Sequence, residues 1–244
     1  LDQTRIAQVA QLLKDAYTGP KITVLPADLV PQTEDDAYAI QAAVLGDQPI
    51  AGWKVAAIAV PNPLVAAPLT DAIPEGPLPA EIRDPEIEVE IAIMIAADLP
   101  PRQEPYTAAD VQPALGGACA AFEVVESRFA VRTDASPLEA LADRNCNGTV
   151  ILGSGIDDWQ NLDLTKLEVS LTGTVEIART SGNATQEQTM TALVWLANHA
   201  SKQGVGLRKG QFVITGARIG PIVVDRGQDL VAEIEHIGTV KLGL

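Results

Sequence analysis

Glu88 and Glu90 stand two residues apart at the start of the alternating run IEVEIAIMIA. On a strand that spacing puts both carboxylates on one face, with Cβ atoms roughly 7 Å apart. Two acids so placed can converge on one hard cation, each oxygen roughly 2.0–2.4 Å from it. The plainer alternative is a strand whose first residues are simply solvated. Glu123, in AFEVVESR, is the next acid inside an apolar run, with Phe122 and Val124 facing the other way. Glu126 and Arg128 follow, and a Glu–Arg pair closing the strand is the bland reading there. Lys54, in GWKVAA, is a lone cation among apolar residues. Beside a carboxylate cluster it would be a charge partner or a substrate anchor; at a strand edge it would snorkel to water. Cys146, in DRNCNG, has no histidine or basic cluster near it in sequence, which argues against a nucleophile. Cys119, in GGACAAF, reads as an inert buried thiol. The glycines of TGARIGP, which opens with Thr215 and Gly216, would let backbone approach a ligand closely.

These residues need strands to hold them. The clearest strand is 87–96, where Val89, Ile91, Ile93 and Ile95 form one face and Glu88, Glu90, Ala92 and Met94 the other. Both faces beyond the acids are apolar, so the strand should be buried on both sides. IAGWKVAAIAV reads as a second strand. PNPLVAAPLTDAIPEGPLP, dense in proline, reads as irregular loop. Residues 5–17 and a segment capped by Thr33 and Asp36 read as helices. A third helix starts at the Thr107–Asp110 cap, and TMTALVWLANHASKQ is a fourth, stopped by Gly204. The rest of the second half is short strands. The expected class is therefore α+β and β-rich, with a curled or rolled mixed sheet: a small helical region over 1–48 and a strand-rich region over 49–244.

Composition removes several functions. Hydrophobic residues are 47 % and charged residues 20 %, which excludes a disordered chain. Lys and Arg number 17 against 32 Asp and Glu, for a net charge of −15. No nucleic-acid partner and no anionic membrane surface suits such a chain. An anionic substrate must be drawn in by a local cation. Two cysteines and two histidines make neither a disulfide framework nor a zinc cluster. No apolar run approaches membrane-spanning length, and the first residues read as helix rather than signal peptide, so a cytoplasmic location is expected.

Taken in order, DDAYAIQ, GWKV, IEVEIAIMIAADLP, YTAADV, AFEVVESR, ALVWLAN, GLRKGQFVITGARIGP and AEIEHIGTVKL resemble the fumarylacetoacetate hydrolase superfamily. The closer likeness is to its branch of 2-hydroxypenta-2,4-dienoate (2-keto-4-pentenoate) hydratases and 4-oxalocrotonate decarboxylases. The resemblance implies that superfamily's mixed β-roll, as a catalytic domain over 49–244, and a Mg²⁺ or Mn²⁺ ion held by Glu88, Glu90 and Glu123. It implies an active-site lysine at Lys54 and a small 2-oxo acid as substrate. It also implies a homo-oligomer, or a hetero-complex with a paralogous hydratase or decarboxylase. The hydratases' Pro-Asp-[FY]-Gly motif is absent: Leu64 aligns with its Asp, followed by Leu69–Thr70–Asp71 in the manner of the decarboxylases. The branch's Asp-Asn-Ala-Ser appears as Asp143–Arg144–Asn145–Cys146. Lys54, Asp71 and Cys146 are thus the expected catalytic groups, and Lys54, Leu64, Thr215 and Gly216 the expected substrate contacts. The implied activity is a lyase acting on dienol or 2-oxo acids of aromatic meta-cleavage type, as hydratase or as decarboxylase. A divergent, non-catalytic partner subunit and a hydrolase of 1,3-diketones or acylpyruvates are the alternatives.

Overall fold

The computed structural model describes residues 1–59, 62–83 and 85–244. Val60, at the end of the second expected strand, and Pro61, at the start of the proline-rich stretch, lie outside them.

Two helices open the chain: α1 (Gln3–Asp15), capped by the Asp2 carboxylate, and α2 (Glu34–Leu45), with the Thr33–Asp36 capping box in place. Val9, Leu13, Ile40 and Val44 pack them together, and Phe129 and Leu141 from the middle of the chain join that small core. Leu141 belongs to α4 (Pro137–Ala142), a short helix with a Ser136–Glu139 capping box that the sequence reading passed over.

The main sheet is mixed. It contains β1 (Gly52–Val55), β2 (Ala66–Leu69), β4 (Glu86–Ile95), β5 (Leu115–Val125), β6 (Asn147–Ile156), β9 (Phe212–Ile214) and β10 (Ile219–Val223). The order is β2-β1-β9-β4-β5-β6, with β10 also on β4. β1 runs parallel to β9, and the other neighbours are antiparallel. Beyond β2 the chain crosses to the far edge, where Ile73 bridges Ile151 and its N–H donates to the Val150 carbonyl at 2.8 Å. The segment leaving β2 thereby reaches the opposite edge strand, and the sheet curls into a roll. Ala92, Ala121, Val150, Phe212 and Ile214 fill its interior.

Outside the roll, Val89, Ile91, Phe122 and Val124 join the large core. A second sheet, order β3-β12-β11-β7-β8, packs there against β5 and β6. Its strands are β3 (Gly76–Pro77), β7 (Glu168–Thr172), β8 (Glu176–Ser181), β11 (Asp229–Ile234) and β12 (Gly238–Gly243). Helix α3 (Ala108–Val111) precedes β5, and α5 (Gln186–Lys202) lies on β1. No helix among the described residues is long and apolar enough to cross a membrane.

Two expectations need correction. IAGWKVAAIAV is strand only over Gly52–Val55, because its parallel partner ends at Ile214, where the chain turns at Gly216 (φ 107°). The proline-rich stretch is not all loop. It contributes β2, and Pro68 is tolerated there because β2 hydrogen-bonds to β1 on one side only.

His199 of α5 sits between the rings of Tyr38 and Trp195, at 4.5 and 4.9 Å. Burial, aided by Lys202, pushes its pKa down to about 4. The folded state therefore resists a proton that the unfolded state accepts. Stability is intact above the ordinary histidine pKa near 6.5 and declines as pH falls toward 4. With partial solvent access, the expected loss is ~1–2 kcal/mol between pH 7 and 4. Urea unfolding at both pH values should show this slope in the parent and a flatter one in His199→Phe; equal slopes would refute it.

Candidate active site

Glu88 and Glu90 point into the roll from β4, and Glu123 points in from β5 directly opposite Glu88. Glu90 is 2 % exposed and Glu123 fully buried. The three carboxylates each offer an oxygen within 4.8 Å of the others. Like charges opposite one another on a sheet repel, and here water is scarce as well. Burial first, and then Glu123, raises Glu88 to about 7. Glu90 is held well above the ordinary carboxylate range by burial and by both neighbours.

Two cations answer the three acids. Lys54 reaches in from β1, its Nζ 2.6 Å from Glu123 Oε1 and 3.1 Å from the Asn145 carbonyl. Burial works against this ammonium, but Glu123 and Glu88 outweigh it and hold its pKa above the ordinary lysine value. Arg218, 6 % exposed, approaches Glu90 Oε2 at 3.9 Å. Its Nη1 donates to Thr215 Oγ1 at 2.9 Å and to the Gly216 carbonyl. Asn147 Nδ2 donates to Glu123 Oε1 at 3.0 Å.

Several buried atoms are left without a hydrogen-bond partner: Glu90 Oε2, Glu123 Oε2, and Nε and Nη2 of Arg218. Orphaned carboxylate oxygens in a buried all-oxygen cluster suit a hard divalent cation such as Mg²⁺ or Mn²⁺. The residues present therefore fit the ion.

The turn that supplies Asn145 is unusual. Arg144, Asn145 and Cys146 take φ of 52, 50 and 63°, three successive left-handed residues, none of them glycine. Each costs roughly 1–3 kcal/mol, so surrounding contacts must hold the turn. Asp143 does this. It forms a buried pair with Arg128 and accepts from Ser127 Oγ at 2.9 Å and from the Arg128 N–H at 3.0 Å. Arg128 also donates to the Asn147 carbonyl at 2.6 Å. The expected Glu126–Arg128 closure is thus replaced by Arg128–Asp143.

The other expected site residues are scattered. Thr215 and Gly216 lie beside Arg218, engaged by its guanidinium. Cys146 is buried; burial and then Asp143 raise its thiol pKa, so the thiol stays protonated. Leu64 packs into the large core. The structure does not bring Asp71 to the acids. It is exposed, accepts from Thr149 Oγ1 at 3.3 Å, and lines a separate cavity. Its nearness in sequence to β2 misleads, because the chain there is already crossing to β6. Sequence reasoning missed Arg218 and Asn147. Both lie in motifs, TGARIGP and DRNCNG, whose glycines and cysteine carry the more obvious signal.

Residues 49–243 match the family model described as fumarylacetoacetate (FAA) hydrolase C-terminal. The chain belongs to that family. Among curated members, a 2-keto-4-pentenoate hydratase of Paraburkholderia phymatum is 36 % identical over 168 residues, 68 % of this chain. That match spans only 63 % of the relative's own length. 2-keto-4-pentenoate hydratase 2 of Dechloromonas aromatica is 30 % identical over 95 % of this chain and 94 % of its own. A solved structure, the 4-oxalocrotonate decarboxylase from Pseudomonas putida G7 complexed with magnesium and adipate, superposes with a TM-score of 0.85. It covers 100 % of this chain and 98 % of its own at 21 % identity, a likeness of fold.

Proposed function

We propose that the chain is a divalent-metal-dependent lyase acting on small 2-oxo or dienol acids, with loss of CO₂ the reaction its site supports better than hydration. The observation that carries the reading is the buried Glu88–Glu90–Glu123 cluster with orphaned oxygens beside Lys54. Three carboxylates face two cations, leaving one negative charge. A divalent ion and a substrate carboxylate together would bring the site to neutrality.

Glu88, Glu90 and Glu123 would hold the ion. When bound, it supplies Lewis-acid stabilisation of the charge that develops on a 2-oxo oxygen. Lys54 anchors the substrate's anionic end and fixes the Glu123 carboxylate. Arg218 holds Glu90 in place and keeps two donor groups, Nε and Nη2, free of protein partners. The alanines of the roll keep water scarce around these charges, which strengthens each interaction.

Hydration asks for more. It needs a positioned group to activate water and move protons, typically worth about 10²–10⁴ in rate. Leu64 is packed in the core, Asp71 sits in another cavity, and the Cys146 thiol stays protonated. The names of the curated relatives favour hydration, and a direct comparison decides. Purified protein with Mg²⁺ is offered 2-oxohex-3-enedioate and 2-hydroxypenta-2,4-dienoate, following CO₂ release and loss of dienol absorbance. The expected result is faster decarboxylation. Fast hydration without CO₂ release would overturn that preference, and no turnover of either would favour a non-catalytic partner subunit.

A further inference from the structure

Arg144 is 5 % exposed, yet among the described residues no carboxylate lies within ion-pair distance of it. The other buried or half-buried cations near it are answered: Arg128 by Asp143, Arg218 by Glu90, Lys54 by Glu123. Arg144 has only neutral partners. Its Nη1 donates to Thr70 Oγ1 at 3.3 Å and its Nη2 to the Tyr17 hydroxyl, while Nε has no partner. The Tyr17 ring lies 5.4 Å from the guanidinium carbon. A buried, uncompensated charge is costly, and this one is held in place by the strained left-handed turn.

The guanidinium borders a cavity of about 350 Å³ between α1, α2 and the end of β2. Lys14, Tyr17, Thr70, Asp71 and Gly148 also line it. Lys14 adds a second cation at the C-terminal turn of α1, and Asp71 one negative charge. The cavity therefore carries a net single positive charge in a chain of net charge −15. None of the three glutamates, Lys54 or Arg218 lines it.

We propose that this cavity is a second ligand site, which takes the carboxylate of a small organic acid against Arg144 and Lys14 without a metal ion. A carboxylate matches the planar guanidinium, which can hold both of its oxygens in a bidentate pair. The site lies one residue from the Asn145 carbonyl that receives Lys54, so its occupant bears on the turn that frames the metal cluster.

The test uses metal-stripped protein in EDTA at pH 7 and constant ionic strength, with sodium succinate as probe. Side-chain Nε–H signals are followed by ¹⁵N–¹H NMR on arginine-labelled protein, with the Arg144 signal assigned by its loss in Arg144→Met. Succinate should shift that signal saturably and raise the melting temperature of the parent. In Arg144→Met the succinate-dependent rise in melting temperature should weaken at least ten-fold in apparent affinity, and in Lys14→Gln several-fold. Should Arg144→Met fail to fold, Lys14→Gln and Arg144→Lys carry the comparison. Undiminished affinity in the variants, or no saturable shift of the Arg144 signal, overturns the site. Tighter binding of inorganic phosphate than of succinate overturns the carboxylate assignment.

Discussion

Glu123→Gln should lose divalent-ion binding while keeping its fold. Mn²⁺ titration followed by electron paramagnetic resonance is expected to show affinity lowered at least ~100-fold, beyond the roughly 10–100-fold typical of losing a group that only braces a ligand. The reason is positional. Glu123 alone faces Glu88 across the strand pair, and its free Oε2 is one of two orphaned carboxylate oxygens in the cluster. The amide keeps the volume and still accepts from Lys54, so the circular dichroism spectrum should match the parent. Asn147→Ala, which removes only a hydrogen bond to Glu123 Oε1, should cost far less. Parent-like Mn²⁺ affinity in Glu123→Gln would sink the metal site.

Lys54→Met should lower kcat by about 10²–10⁴, the range expected for losing a positioned polar group at the reacting centre. The effect on stability depends on the ion. In saturating Mg²⁺ the added charge offsets the three carboxylates, so the loss should fall below the roughly 3–5 kcal/mol that follows when a buried charge is stranded. In EDTA the same variant should be less stable than the parent by more, because Glu88, Glu90 and Glu123 then lose their hydrogen-bonded cation and keep Arg218 at 3.9 Å from Glu90. Turnover equal to the parent's would refute the role given to Lys54.

The acids were legible before the fold was. Alternation along IEVEIAIMIA puts Glu88 and Glu90 on one face, and Glu123 breaks an apolar run in the same way. That Glu88 lies opposite Glu123 depends on strand register, which no local pattern states. Lys54 stood out as a cation in an apolar strand, but its reach to Glu123, 69 residues on, follows from β9 lying between β1 and β4. Arg218 was hidden because an arginine between glycines reads as surface turn, and only the roll shows it to be buried. Pro68 concealed β2 for a related reason: proline signals a loop unless one knows that the strand lies at a margin. The Asp71 expectation came from likeness of motif, and the seam at Ile73–Ile151 carries that carboxylate elsewhere.

The packed interior of the roll makes the site unequal in depth. Phe212 sits against Gly52, where an added Cβ would meet its ring at 2.6 Å, and Ala92, Ala121 and Val150 are buried in the same interior. Glu90 and Glu123 are sealed, whereas Glu88 and Lys54 keep some exposure. Whatever rests against the inner pair is therefore covered by whatever rests against the outer pair. Arrival and departure then become a queue: what settles against the inner pair first leaves last.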